Sequence, residues 1–104
     1  MTPDLMAVQG VAVVLFCLGI AVAMTRRNIF FILMGVELAI NAANLSFIGF
    51  SRTLPAAMSL TGQVVPLFAI AVAAAEACVG LAMVILIYRA RESLDSESFA
   101  NLKE

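Results

Sequence analysis

Two glutamates, Glu37 and Glu76, are the residues of this sequence best placed to do chemistry, because each interrupts a long apolar stretch. A charged side chain at the centre of a bilayer costs roughly 2.5–3.5 kcal/mol on insertion scales. Apolar surroundings favour the neutral acid over the carboxylate, so a glutamate in such a position can exchange a proton when polar neighbours or water assist it. The chemistry that these two residues predict is proton transfer inside a membrane.

Two asparagines accompany Glu37. Asn41 and Asn44 follow it at spacings of four and seven residues, which places the three side chains on one stripe of an α-helix. Their amides can donate hydrogen bonds to a carboxylate or hold water beside it. Linking neighbouring helices is an alternative role for both asparagines. Ser46 falls on the opposite side of the same helix, and we expect its hydroxyl to bond to its own backbone.

Small side chains accompany Glu76. At 100° per residue the same helix face carries five further residues: Ala69, Val72, Ala73, Gly80 and Met83. Small residues let a second helix approach closely and leave room for water next to an acid. We therefore predict that both glutamates face protein rather than lipid. The alternative is that they only hold helices together, which an uncharged amide does at a lower cost.

The elements that must position these side chains are three apolar runs, at about residues 5–24, 29–50 and 64–88. Each has roughly the 20 residues that cross a ~30 Å hydrocarbon layer as an α-helix. The sequence therefore predicts an all-α membrane protein of three transmembrane helices, forming a single domain over residues 1–104. Residues 89–104 are polar and of mixed charge, and we expect them to form a short surface tail.

Proline and glycine refine this outline. A mildly polar connection over residues 51–63 separates the second run from the third. Pro66 then falls in the first turn or two of the third helix, where its missing N–H costs least. Three glycines inside the first two helices, Gly10, Gly19 and Gly35, are predicted to be packing points rather than hinges.

The basic residues predict an orientation. Five of them lie on one side of the predicted membrane: Arg26, Arg27, Arg89, Arg91 and Lys103. Only Arg52 lies on the other side. The positive-inside rule places the first loop and the C-terminus in the cytoplasm and the N-terminus outside. Setting this orientation is one role for the Arg26 and Arg27 pair, and pairing with acidic groups of a neighbouring subunit is the alternative.

The composition excludes several classes of protein. The 104 residues are 63% hydrophobic and 12% charged, whereas a soluble domain is about one quarter charged. Histidine is absent, and Cys17 and Cys78 lie singly inside apolar runs, so we expect this chain to bind neither metal nor cofactor. There is no basic stripe for nucleic acid. The N-terminus lacks the basic segment of a cleavable signal peptide.

Six short motifs carry a resemblance to a known family. They are Thr25-Arg26-Arg27-Asn28, Gly35-Val36-Glu37-Leu38, Asn41-Ala42-Ala43-Asn44-Leu45, Gly62-Gln63-Val64, Ala73-Ala74-Ala75-Glu76 and Gly80-Leu81-Ala82. At this spacing the chain resembles the K (4L) subunits of proton-pumping NADH:quinone oxidoreductase, respiratory complex I. The resemblance covers nearly the whole chain, and the paired glutamate motifs make it specific.

The resemblance implies a place in the membrane arm, with quinone-proximal and antiporter-like subunits as partners. Glu37 and Glu76 would take part in proton translocation coupled to quinone reduction, and Arg26 and Arg27 match the arginine pair of the family's first loop. FMN, iron–sulfur clusters and quinone would be bound by other subunits. The chain would then be a non-redox subunit that is not catalytic in isolation. The lack of a transit segment favours a bacterial plasma membrane.

The chain departs from the family pattern at three positions. Ala39 and Ile40 stand where other apolar residues such as Met or Leu are usual, and Pro66 stands where a non-proline residue is expected. None of these departures touches the two acids. Pro66 puts the start of the third helix in doubt.

Other classes of membrane protein fit less well. The C subunit of multisubunit Na⁺/H⁺ antiporters is related in fold but lacks a glutamate at the position of Glu37. A small multidrug exporter needs four spans and a glutamate in its first helix, and an ATP-synthase proteolipid has two helices and one carboxylate. A purely structural assembly subunit remains the simplest alternative.

Overall fold

The computed structural model describes residues 2–103 and contains three α-helices in that range. Helix α1 spans Pro3–Thr25, helix α2 spans Ile29–Ser51 and helix α3 spans Ala56–Lys103. All three are long and apolar enough to cross a membrane. The prediction of an all-α protein with three membrane-spanning helices is confirmed.

Polar side chains fix the starts of the first two helices. The Thr2 hydroxyl accepts a hydrogen bond from the Leu5 N–H at 3.3 Å, and Pro3 occupies the first helical position. Asn28 Oδ1 accepts a hydrogen bond from the Phe30 N–H at 2.9 Å. Such caps satisfy N–H groups that the first turn of a helix leaves unpaired. Helices α1 and α2 therefore begin where the sequence supplies a capping oxygen.

Helix α3 is much longer than predicted, whereas the ends of α1 and α2 lie within two residues of their predicted positions. It begins at Ala56 rather than near residue 64, and it continues through the predicted polar tail to Lys103. Hydropathy marks the part of a helix that lies in lipid and not the point where the helix ends. The added residues include the good helix formers Ala, Leu, Arg and Glu, and neither proline nor glycine follows Gly80.

This early start changes the position of Pro66. It is the eleventh residue of α3, so the prediction that it lies in the first turn or two is wrong. Its side chain is fully buried. Because proline has no N–H, the carbonyl oxygen of Gly62 has no donor from the usual position one turn later. The helix nevertheless continues through this position.

The three helices form a flat layer. Helices α1 and α3 each pack against α2, and within residues 2–103 they do not contact each other. The Cα atoms extend over 74 × 25 × 11 Å. The longest dimension matches the length of α3, about 72 Å at ~1.5 Å per residue, and the shortest matches the thickness of about one helix. We call this arrangement the helical layer; α2 lies at its centre, and the chain alone leaves both broad faces open.

Glycine permits the close contact between α1 and α2. A Cβ atom added at Gly19 would lie 2.6 Å from the Gly35 carbonyl oxygen, and one added at Gly35 would lie 2.6 Å from the Gly19 carbonyl oxygen. The backbone nitrogens of Ala39 and Ala23 lie 2.7 Å from these two positions, respectively. The predicted packing role of Gly19 and Gly35 is confirmed. The same prediction for Gly10 is wrong within the described chain, since nothing lies within 4 Å of its Cβ position.

Two contacts define how α2 and α3 are aligned. The Cβ position of Gly80 lies 3.3 Å from Leu33 Cδ1, and that of Gly62 lies 2.8 Å from Ser51 Cβ. Eighteen residues separate Leu33 from Ser51 along α2, and eighteen separate Gly62 from Gly80 along α3. The helices are therefore antiparallel with a constant register, and any residue of α2 can be assigned a level on α3. We call the contact between them the α2–α3 seam.

Candidate functional site: two carboxyl groups at one depth

Glu37 lies in a groove on one broad face of the helical layer. The groove has a volume of about 890 Å³ and is lined mainly by apolar side chains from all three helices. Its charged and amide side chains are Arg26, Glu37 and Asn41. Glu37 is partly buried, and one turn of helix separates it from Asn41. The structure thus brings together an acid and an amide that the sequence had placed on one stripe.

Arg26 and Arg27 differ in their surroundings. Arg26 lines the groove together with Glu37, and its guanidinium carbon lies 5.6 Å from the centroid of the Phe31 ring. At this distance a cation is attracted to the face of an aromatic ring. Arg27 is exposed and is not among the residues that line the groove. The predicted basic pair is therefore divided, and only its first member shares a surface with an acid.

Glu76 lies at the same level as Glu37. Moving four residues from Leu33 to Glu37 along α2 corresponds to moving four residues back from Gly80 to Glu76 along α3, because the helices are antiparallel. Glu76 is exposed and does not line the groove, whereas Cys78 does. Two residues are separated by about 200° around a helix, so Glu76 is directed to the other broad face of the layer.

The small residues near Glu76 have a different partner from the one expected. Ala73 is 4% exposed and Gly80 contacts Leu33, so these two residues face α2. Val72 and Met83 are exposed, as is Glu76 itself. The predicted single face is therefore split between the α2–α3 seam and the surface. That a neighbouring protein covers Glu76 stays a prediction, since this chain alone leaves it uncovered.

Asn44 is separated from the groove. It is 6% exposed, and its amide nitrogen Nδ2 is buried without a hydrogen-bond partner. Asn41, in contrast, is exposed in the groove. Asn44 is nine residues from Gly35, which contacts α1, and so lies on the opposite side of α2, about 180° around the helix. Asn44 therefore points into the α2–α3 seam and not toward the same surface as Asn41.

One polar pair was not predicted from the sequence. The Ser46 hydroxyl donates to Gln9 Oε1 at 2.6 Å, and Gln9 Nε2 donates to the Ser46 carbonyl oxygen at 3.1 Å. The prediction that Ser46 bonds within its own helix is wrong. Gln9 is the only amide side chain of α1. The cost of leaving such an amide unpaired in lipid was the signal that it needs a partner on another helix.

Metal ligands and cysteines are the other groups of the described residues that could carry chemistry. Within residues 2–103, no group of three or more His, Cys, Asp or Glu side chains could hold a metal ion. Cys17 and Cys78 are both free. Glu37 and Glu76 are therefore the candidate functional groups of the membrane-spanning part, since a carboxyl group there can hold or release a proton.

A flat layer of three helices that are long and apolar enough to span a membrane, with two carboxyl groups at one depth, defines a small multi-pass integral membrane protein. The chain matches the family model of NADH-ubiquinone/plastoquinone oxidoreductase chain 4L over residues 7–104. It belongs to that family, and the resemblance noted in its motifs is confirmed.

Individual relatives cover most of the chain. The NADH-quinone oxidoreductase subunit K of Bacillus anthracis is 48% identical over 92 residues, which is 88% of each chain. The NAD(P)H-quinone oxidoreductase subunit 4L of Synechocystis is 50% identical over 92 residues, again 88% of each. The chloroplastic subunit 4L of Mesostigma viride is 48% identical over 89 residues, covering 86% of this chain and 87% of the relative.

Proposed function

We propose that this chain is a membrane-arm subunit of an NADH:quinone oxidoreductase and takes part in proton translocation coupled to quinone reduction. Family membership supports the first part, because the relatives are named as subunits of that enzyme. The second part is supported by one observation above all: Glu37 and Glu76 lie at one level but open to opposite broad faces of the helical layer.

This arrangement suits transfer of protons or charge from one side of the layer to the other. Glu37 receives a proton in the groove, where Asn41 supplies an amide for water or for the carboxylate. A change of charge at one acid acts electrostatically on the other, because the two acids lie at the same level on adjacent helices. Glu76 then exchanges its proton with a group of the subunit that covers the other face.

The redox chemistry belongs to other subunits in this proposal. FMN, iron–sulfur clusters and quinone bind elsewhere in the enzyme, and this chain alone is not catalytic. Its neighbours are quinone-proximal and antiporter-like subunits of the membrane arm. The N-terminus lies outside and the C-terminal part of α3 lies in the cytoplasm, and the membrane is a bacterial plasma membrane.

Replacement of Glu37 by Gln in the assembled enzyme tests the proposal. Glutamine keeps the shape and polarity of the side chain but cannot carry a proton, so proton pumping and coupled quinone reduction should fall about tenfold or more. The control is Glu97→Gln in the exposed end of α3, which makes the same chemical change outside the membrane-spanning part.

Three measurements are needed on each variant: subunit content of the purified enzyme, quinone reductase activity, and proton pumping into sealed vesicles. Normal pumping and full activity in Glu37→Gln would refute the proposed role. A loss of activity that follows only a loss of subunit content would favour a purely structural assembly subunit.

A further inference from the structure

We propose that Asn44 is a positioning residue for Glu76: across the α2–α3 seam its amide donates a hydrogen bond, through water or after a small side-chain movement, to the Glu76 carboxyl group. This inference rests on the proposed function, because it assigns a partner to one of the two acids. The helical spacing in the sequence instead groups Asn44 with Glu37, because both lie on one stripe of the same helix.

The first argument is direction. Asn44 lies half a turn from Gly35, the residue at which α1 touches α2, so its side chain is directed away from α1. Only α3 remains to cover it, and it is 6% exposed. Ser51, seven residues further along the same stripe, contacts Gly62 of α3. Asn44 is therefore a residue of the seam.

The second argument is depth. By the register of the seam, Asn44 lies level with Ala69, seven residues or ~10.5 Å from the level shared by Glu37 and Glu76. Side chains in a helix tilt toward its N-terminus. Because α2 and α3 are antiparallel, Asn44 and Glu76 tilt toward each other, whereas Asn44 and Glu37 tilt the same way. Tilt therefore shortens the axial separation between the Asn44 and Glu76 side chains but leaves that between Asn44 and Glu37 unchanged.

The third argument is hydrogen-bond demand. Asn44 Nδ2 is a buried donor without an acceptor, and such a group is costly to leave unpaired. Glu76 is an exposed acid whose oxygens can accept several hydrogen bonds. The α3 side chains that face α2 between the two levels are those of Ala69 and Ala73, which are small enough to leave a path for water.

A double-mutant cycle in the assembled enzyme tests this assignment. Asn44→Leu removes the amide while keeping the number and branching of the side-chain heavy atoms, and Asn41→Leu is the matched control in the groove. We expect Asn44→Leu to lower proton pumping about three- to tenfold, the range of a hydrogen bond between neutral groups. In a Glu76→Gln background Asn44→Leu should have almost no further effect, whereas the losses from Asn41→Leu and Glu76→Gln should multiply.

A spectroscopic measurement separates positioning from mere packing. The carbonyl stretching band of protonated Glu76, identified as the infrared band lost in Glu76→Gln, should move to higher frequency in Asn44→Leu and return in Asn44→Gln. An unshifted band, or multiplying losses from Asn44→Leu and Glu76→Gln, would overturn the inference. If Asn44→Leu does not assemble, the band is compared between wild type and Asn44→Ser, which retains a donor closer to the backbone.

The two proposals fail in different ways. Normal pumping in Glu37→Gln would remove the translocation role, while the infrared band would still report a hydrogen bond to Glu76. Conversely, if the frequency of the Glu76 band does not change in the Asn44 variants, the proposed role of Glu37 is unaffected.

Discussion

The two acids at the centre of this chain have unequal surroundings. Glu37 is partly buried beside Asn41 and shares its groove with Arg26. Glu76 is exposed, and the neighbouring residues Ala73 and Ala77 on its own helix are small and apolar. Within this chain Glu37 therefore has more groups that can stabilise a charge or order water. Glu76 has fewer such groups in this chain, so in the proposed function it depends more on a neighbouring subunit.

This inequality predicts that Glu76→Gln reduces proton pumping less than Glu37→Gln does. We expect a loss of a few fold for Glu76 where Glu37 loses about tenfold or more. Initial rates of pumping in sealed vesicles, at equal subunit content, make the comparison. Glu92→Gln in the exposed part of α3 serves as the control. A larger loss for Glu76 than for Glu37 would show that the groups supplied by neighbouring subunits outweigh those of this chain.

The division of the arginine pair leads to a second prediction at this scale. Arg26→Ala should lower activity modestly, about two- to fivefold, because it removes a charge from the groove and a contact with Phe31 that is worth roughly 0.5–1 kcal/mol at an exposed site. Arg27→Ala, which removes the same charge one residue later, should have a smaller effect. The quinone reductase activities of the two single variants show whether Arg26 contributes more than Arg27. Equal small losses would indicate that both arginines act only on membrane orientation.

Residue types alone predicted the two acids of this site, whereas the positions of its other polar residues depend on which helices pack together. An acid inside an apolar run is visible in the sequence, so Glu37 and Glu76 could be singled out without a structure. The separation of Asn44 from Asn41 could not be predicted. Spacing along a helix shows on which side a residue lies, but not which neighbouring helix packs against that side. The Gln9–Ser46 pair was missed for the same reason.

At the scale of elements, the crossing of α1 and α2 depends on two glycines. A methyl group at Gly35 would lie 2.6 Å from the Gly19 carbonyl oxygen, and backbone cannot yield as the end of a long side chain can. Gly35→Ala should therefore destabilise the chain by about 1–3 kcal/mol and reduce its incorporation into the enzyme. Thermal stability and subunit content of the purified enzyme measure the effect.

Gly10→Ala is the matched control for this substitution. It makes the same change in α1 at a position where nothing lies within 4 Å of the new methyl group. Alanine favours a helix over glycine by about 1 kcal/mol, so this variant should be as stable as wild type or more so. If Gly10→Ala were as damaging as Gly35→Ala, the close crossing would not be the cause.

The elements themselves were predictable to different degrees. The apolar run that ends at Arg26 predicted α1, and the run between Asn28 and Arg52 predicted α2. The ends of both helices were predicted within two residues. The length of α3 was not predictable in this way, since its outer turns are polar at both ends. There the helix is maintained by the intrinsic preference of residues such as those over 89–103, which hydropathy does not register.

At the scale of the whole molecule, the long α3 makes the proposed orientation easy to test. With Cys17 and Cys78 replaced by Ala, a single cysteine is introduced by Thr53→Cys or by Ser93→Cys, both at exposed positions. A membrane-impermeant thiol reagent added to intact cells should modify the cysteine at position 53 and not that at 93. Broken cells should show modification of both. Labelling at position 93 in intact cells would show that the orientation is the reverse of the one proposed.

The flatness of the helical layer has a consequence for the proteins on either side of it. Its Cα atoms span only 11 Å in the shortest direction, so the layer is about one helix thick. In a medium of low polarity, a charge that moves on one side is still felt across such a distance. In the proposed function, the chain would then act as a thin dielectric spacer, across which a charge in a subunit on one face is felt by a subunit on the other.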